Sequence, residues 1–178
     1  MRSWLIYILL ISFVGIANAA DYRFRHMTTD DGLTHNQVND IYQDSHGFMW
    51  LSTAWGLNFY DGYRLKTFLS SEDSTSLKSN FVGWVRDISG DKMLVHTSAG
   101  DCIYDRNTDK FSYDVSKYRP EGSYELDLRT YVDRHYNVWV ANKDALYVSL
   151  GGETDLKMVM PSVPHEGDIT GITENNDR

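Results

Sequence analysis

A unit of apolar strand, acidic turn and second strand recurs three times along the chain, and a repeat of that length restricts the fold to an array of like modules. The first copy runs Val38-Asn39-Asp40-Ile41-Tyr42-Gln43-Asp44, the turn Ser45-His46-Gly47, Phe48-Met49-Trp50-Leu51-Ser52-Thr53, then Gly56-Leu57-Asn58-Phe59-Tyr60. The second is Val82-Gly83-Trp84-Val85-Arg86-Asp87, Met93-Leu94-Val95-His96-Thr97 and Gly100-Asp101-Cys102-Ile103-Tyr104. The third is Thr130-Tyr131-Val132-Asp133, Val138-Trp139-Val140-Ala141 and Ala145-Leu146-Tyr147-Val148. Aligned on their turns, the copies bring Asp44, Asp87 and Asp133 into one register, Trp50, Leu94 and Trp139 into a second, and Gly56, Gly100 and Ala145 into a third. The aspartates are 43 and 46 residues apart, which suits four short strands joined by tight turns.

In the first copy, strands alternate with Asp-Ser-His-Gly, Ala-Trp-Gly and Asp-Gly-Tyr, and helical periodicity is absent after residue 20. The expected fold is therefore all-β, an incomplete β-propeller of about three four-stranded antiparallel blades near residues 36–70, 80–115 and 126–160. Asn175 falls 42 residues beyond Asp133, so residues 168–178 read as the start of a further blade. Each repeated Asp is expected to cap its turn by accepting backbone amides. Trp50 and Trp139 should be largely buried at equivalent places in neighbouring sheets, and the glycines should supply left-handed turn conformations. Residues that recur in every module serve the module, whereas a catalytic residue is needed once.

The start of the chain has another character. Arg2 precedes the apolar run Trp4 to Ile16 and the small residues Ala17-Asn18-Ala19-Ala20, the order of a secretory signal peptide cleaved after Ala19 or Ala20. The run is shorter than the ~20 residues a membrane-spanning helix needs, so residues 21–178 are expected to be exported. The net charge of −8 disfavours contact with phosphate backbones, and direct nucleic-acid binding is not expected. Cys102 is the single cysteine, which rules out an internal disulfide and reads as a small buried hydrophobe.

Phe24-Arg25-His26, Asp31-Gly32-Leu33-Thr34-His35-Asn36-Gln37-Val38, the stretch from Asp44 to Thr53 and the stretch from Gly56 to Tyr63 together resemble the start of the two-component regulator propeller family. Leu94 in place of the motif tryptophan and Ala145 in place of the motif glycine mark the later copies as degenerate. The resemblance implies a periplasmic sensor of a hybrid two-component system, its parent anchored in the inner membrane. It further implies additional blades, a cytoplasmic histidine kinase and a DNA-binding domain downstream, a homodimeric full-length protein, and an oligosaccharide as the signal for carbohydrate-utilisation genes.

The six histidines show no metal-ligand spacing, and the acidic stretches Thr29 to Gly32 and Ser71 to Ser74 lack the alternating acids and closing glutamate of a calcium loop. No cofactor is expected, nor any catalytic residue of the chain's own, since no nucleophile elbow, phosphate loop or convergent carboxylate pair is visible. Trp55, Tyr60, Tyr63 and Trp84 are residues of the kind that stack on sugar faces and, more often, fill blade cores. Two other readings are a secreted scaffold for protein contacts and a propeller-type carbohydrate-active enzyme.

Overall fold

The computed structural model describes residue 24 and residues 26–123, 128–142, 145–152 and 154–161. The signal segment and the further blade at 168–178 lie outside the described residues. Among the described residues, twelve strands form three four-stranded sheets, each an antiparallel meander in chain order. The first sheet holds β1 (Val38–Gln43), β2 (Met49–Thr53), β3 (Gly56–Tyr60) and β4 (Leu65–Phe68). The second holds β5 (Val82–Ser89), β6 (Lys92–Thr97), β7 (Gly100–Asp105) and β8 (Lys110–Ser112). The third holds β9 (Arg129–Val132), β10 (Val138–Ala141), β11 (Ala145–Ser149) and β12 (Lys157–Pro161). The sheets stack face to face as blades of an open propeller, with β1, β5 and β9 as the inner strands.

Turn chemistry decides where strands end. Thr53 Oγ1 donates to Gly56 O and accepts from Trp55 N, and Thr97 repeats both bonds with Gly100 and Ala99. Gly56 and Gly100 take φ of +127° and +99°, the left-handed region expected of them. In the third blade Asn142 stands where the threonines do, and its Oδ1 accepts from Ala145 N.

Two apolar seams hold the three blades together. Trp50, Leu57, Val82, Val85, Met93, Cys102, Tyr104 and Phe111 fill the seam between the first two. Trp50 is 1% exposed, with the rings of Phe59, Phe68 and Tyr104 at 5.0, 5.9 and 5.4 Å. Ile88, Leu94, Tyr118, Val132, Val138 and Val140 fill the second seam. Trp139 matches Trp50 by pairing, opposite Tyr131 and Val148, yet it is only half-buried and lies two sheets from Trp50, not in the adjoining one. Its face points away from the second blade, so it lacks the cover that Tyr104 gives Trp50.

The pairing also corrects the aspartate register. Val38 pairs with Thr53 and Val82 with Thr97, Tyr42 with Trp50 and Arg86 with Leu94, Gln43 with Met49 and Asp87 with Met93. Asp87 therefore occupies the position of Gln43, one residue before that of Asp44. A shift of one residue turns a strand side chain to the opposite face, and Asp87 consequently points back at the first blade rather than into its own turn.

Candidate functional site

The β1–β2 turn begins with Asp44, whose Oδ1 accepts from His46 N at 3.0 Å and Phe48 N at 2.9 Å, while Oδ2 accepts from Trp50 Nε1 at 2.8 Å. Asp133 repeats the pattern in the third blade with His135 N, Asn137 N and Trp139 Nε1 at 2.8, 3.0 and 2.9 Å. Burial pushes both carboxyls up, but the indole donors, the turn amides and, for Asp44, the charge of Arg106 outweigh it and hold both below the usual carboxylate range. The paired aspartate and tryptophan thus form one device that ties a turn to the strand behind it.

Asp87 does different work. Its Oδ2 accepts from Ser45 N at 2.8 Å, across the seam, and its Oδ1 accepts from Arg106 Nη2 at 2.6 Å. The same Nη2 lies 3.0 Å from Asp44 Oδ2, so one guanidinium joins two nearly inaccessible carboxylates of different blades. Nearby, Arg86 donates to both oxygens of Asp40, at 2.5 and 3.3 Å, and lies over the Tyr42 ring. Tyr42 Oη accepts from Asp87 N at 3.4 Å. Burial first, and then the charge of Asp87, push the Tyr42 hydroxyl up to about 12.

These groups surround a cleft of about 320 Å³ where the inner strands of all three blades converge. Tyr42, Gln43, Asp44 and Ser45 line it from the first blade, Arg86 and Asp87 from the second, and Val132, Asp133, Arg134 and Tyr136 from the third. Tyr60, Tyr63, Trp55 and Trp84, the aromatics singled out as sugar-stacking types, are not among its walls. Trp55 is exposed in the β2–β3 turn at the other end of the blade, and Tyr63 is fully open to solvent beside β4. Trp84 stacks on His96 at 5.3 Å, and His96 Nδ1 lies 2.7 Å from Asp101 Oδ1. Tyr42, Arg86 and Tyr136 escaped sequence reasoning. Tyr136 carried a signal, because it fills the turn position that Gly47 fills in the first copy.

Among the described residues, no three His, Cys, Asp or Glu side chains converge where a metal could sit. The cleft offers phenol rings, hydroxyls and a paired charge lattice beneath them.

The two component regulator propeller family signature matches residues 32–55, the loop before β1 and the first hairpin. The chain is similar to histidine kinase P4 of Formosa agariphila, 39% identical over 74 residues, which make up 39% of this chain and 5% of that protein. It is also similar to the solved extracellular domain of the hybrid two component system BT3049 from B. thetaiotaomicron, with a TM-score of 0.58 and 26% identity. That match covers 76% of this chain and 20% of the solved one, so the chain spans about a fifth of the structure it resembles.

Proposed function

We propose that this chain, whose residues 32–55 carry the two component regulator propeller signature, is the extracytoplasmic part of a regulator of that family that detects an oligosaccharide and controls carbohydrate-utilisation genes. The observation that carries this reading is the convergence of three blades on one polar cleft with aromatic walls. A group bound there touches β1, β5 and β9 together and so favours one relative placement of the blades. Such a differential contact is what a sensor requires, because a ligand shifts an equilibrium only by its preference between states. Export is supported by the leader-like order of residues 1–20 and by the extracellular nature of the solved relative. Further blades, a membrane anchor and a kinase output belong to the same proposal.

Transcript profiling of the host strain and of a strain lacking the gene, grown on a panel of single polysaccharides, tests the reading. One polysaccharide should induce a carbohydrate-utilisation gene set in the host strain only. Identical profiles on every polysaccharide would reject it.

A further inference from the structure

Tyr136 sits in the left-handed region with φ of +63°, where a bulky side chain is strained and glycine is at ease. The equivalent turn residue of the first blade is Gly47, with φ of +87° and open space around the position of a Cβ. The two turns are otherwise alike: Asp44 N donates to Phe48 O as Asp133 N donates to Asn137 O, and each aspartate gathers the same two turn amides and the same indole. The turn therefore has no need of a tyrosine. Its ring is 37% exposed and stands in the wall of the cleft that Tyr42 lines from the first blade. Backbone strain held at a binding surface, with a side chain that does not serve the core, points to a ligand.

The charges around the cleft say which class of ligand. Arg86 is paired with Asp40, and Arg106 with Asp44 and Asp87. Arg134 has an interaction of its own. The oxygens of Asp44 and Asp133 are filled by turn amides, indoles and either Arg106 or Asn137. Counting Asp40, Asp44, Asp87 and Asp133 against Arg86, Arg106 and Arg134 leaves one negative charge in excess, which disfavours an anionic guest. The exposed ring of Tyr136, edged by the hydroxyls of Tyr42 and Tyr136, then provides the means of contact, an apolar face with hydrogen-bonding groups beside it, as a pyranose ring requires.

Resting on the oligosaccharide reading above, we propose that Tyr136 is the specificity-determining contact of this cleft. Its ring packs against a pyranose face of a neutral oligosaccharide opposite Tyr42.

The test uses the protein in its full natural length, as wild type, Tyr136→Gly and Tyr136→Phe. Each is applied to an array of neutral gluco-, xylo-, manno- and arabino-oligosaccharides and of acidic galacturonate and sulfated ones, with thermal unfolding in parallel. Wild type should bind a neutral member. Tyr136→Gly should lose at least about tenfold in affinity for it while its unfolding midpoint stays level or rises, because glycine relieves the strained φ. Tyr136→Phe, which keeps the ring, should stay within about threefold. Undiminished binding by Tyr136→Gly, a lowered midpoint in that variant, or wild-type binding to acidic members alone would each overturn the proposal and leave the oligosaccharide reading standing. Wild type that binds nothing on the array would overturn the oligosaccharide reading and this proposal with it.

Discussion

Asp44 and Arg106 are 62 residues apart in the chain and 3.0 Å apart in the fold, and through that contact the last hairpin of the second blade closes on the first hairpin of its neighbour. Arg106 also reaches Asp87, so a single cation stands between two carboxylates that are almost wholly removed from water. Taking away one member of such a group leaves a buried charge uncompensated, which costs more than the group contributes when intact. Arg106→Met should therefore destabilise the protein by about 3 kcal/mol in urea unfolding. Adding Asp87→Asn to it should restore part of the loss. A change under about 1 kcal/mol for Arg106→Met would mean that water already serves these carboxylates.

Asp44 and Asp133 are both held below the usual carboxylate range. As the pH falls, the unfolded chain takes up protons before these folded carboxylates do, so their contribution is complete above the unfolded value and drains away below it. The thermal midpoint should drop from about pH 5 downward, and Asp44→Asn with Asp133→Asn should flatten that limb while lowering the plateau. Tyr42 acts at the other extreme. Its folded value is raised from 10.0 to about 12, so the unfolded chain ionises first and stability should decline as the pH rises between these values. Tyr42→Phe should remove that part of the alkaline decline, and an unchanged alkaline limb would count against the buried hydroxyl.

Gly152 passes so close to the second blade that a Cβ there would overlap Ile88 O, and its φ is +66°. Tyr118 Oη donates to Gly152 O at 2.5 Å and holds the segment down. Gly152→Ala has no side chain to move aside, only backbone, and should cost about 3 kcal/mol or more. Gly90→Ala meets nothing within 4 Å and should change stability by less than about 0.5 kcal/mol. Equal effects of the two substitutions in calorimetry would contradict the close approach.

Trp50→Ala should cost about 3–5 kcal/mol, since it opens a cavity lined by Phe59, Phe68 and Tyr104 and leaves Asp44 without its indole donor. Trp55→Ala, at a ring 58% exposed, should stay within about 0.5 kcal/mol. Denaturant midpoints at constant m-value would separate the two.

The blades were legible because their cues are local: alternation along a strand, glycine at a left-handed turn, aspartate ahead of a hairpin. Asp44 and Asp133 behave as the repeat led one to expect. Asp87 does not, and a numerical clue was present, since Leu94 follows Trp50 and Gly100 follows Gly56 by 44 residues while Asp87 follows Asp44 by 43. Matching by residue type concealed a one-residue slip, and in a strand that slip exchanges the two faces. The cleft was beyond reach for a different reason. Arg86 meeting Asp40, Arg106 meeting Asp44 and Tyr136 lining the same space as Tyr42 are products of how separate blades stack, and no spacing within one module encodes them.

The two seams are not mechanically alike. The first is fastened by Trp50 and Phe68 packed edge-on against Tyr104, by the Arg106 ion cluster, by Lys66 on Asp109 and by Asn39 Nδ2 donating to Val82 O. The second relies mainly on aliphatic contacts around Ile88, Leu94 and Val140, and β9 touches β5 far less than β1 does. Bending stiffness should thus be uneven around the arc, the first two blades forming one stiff plate and the third hanging on a softer joint. The cleft bridges plate and joint, with Tyr42 on one and Tyr136 on the other, so its width measures the angle between them.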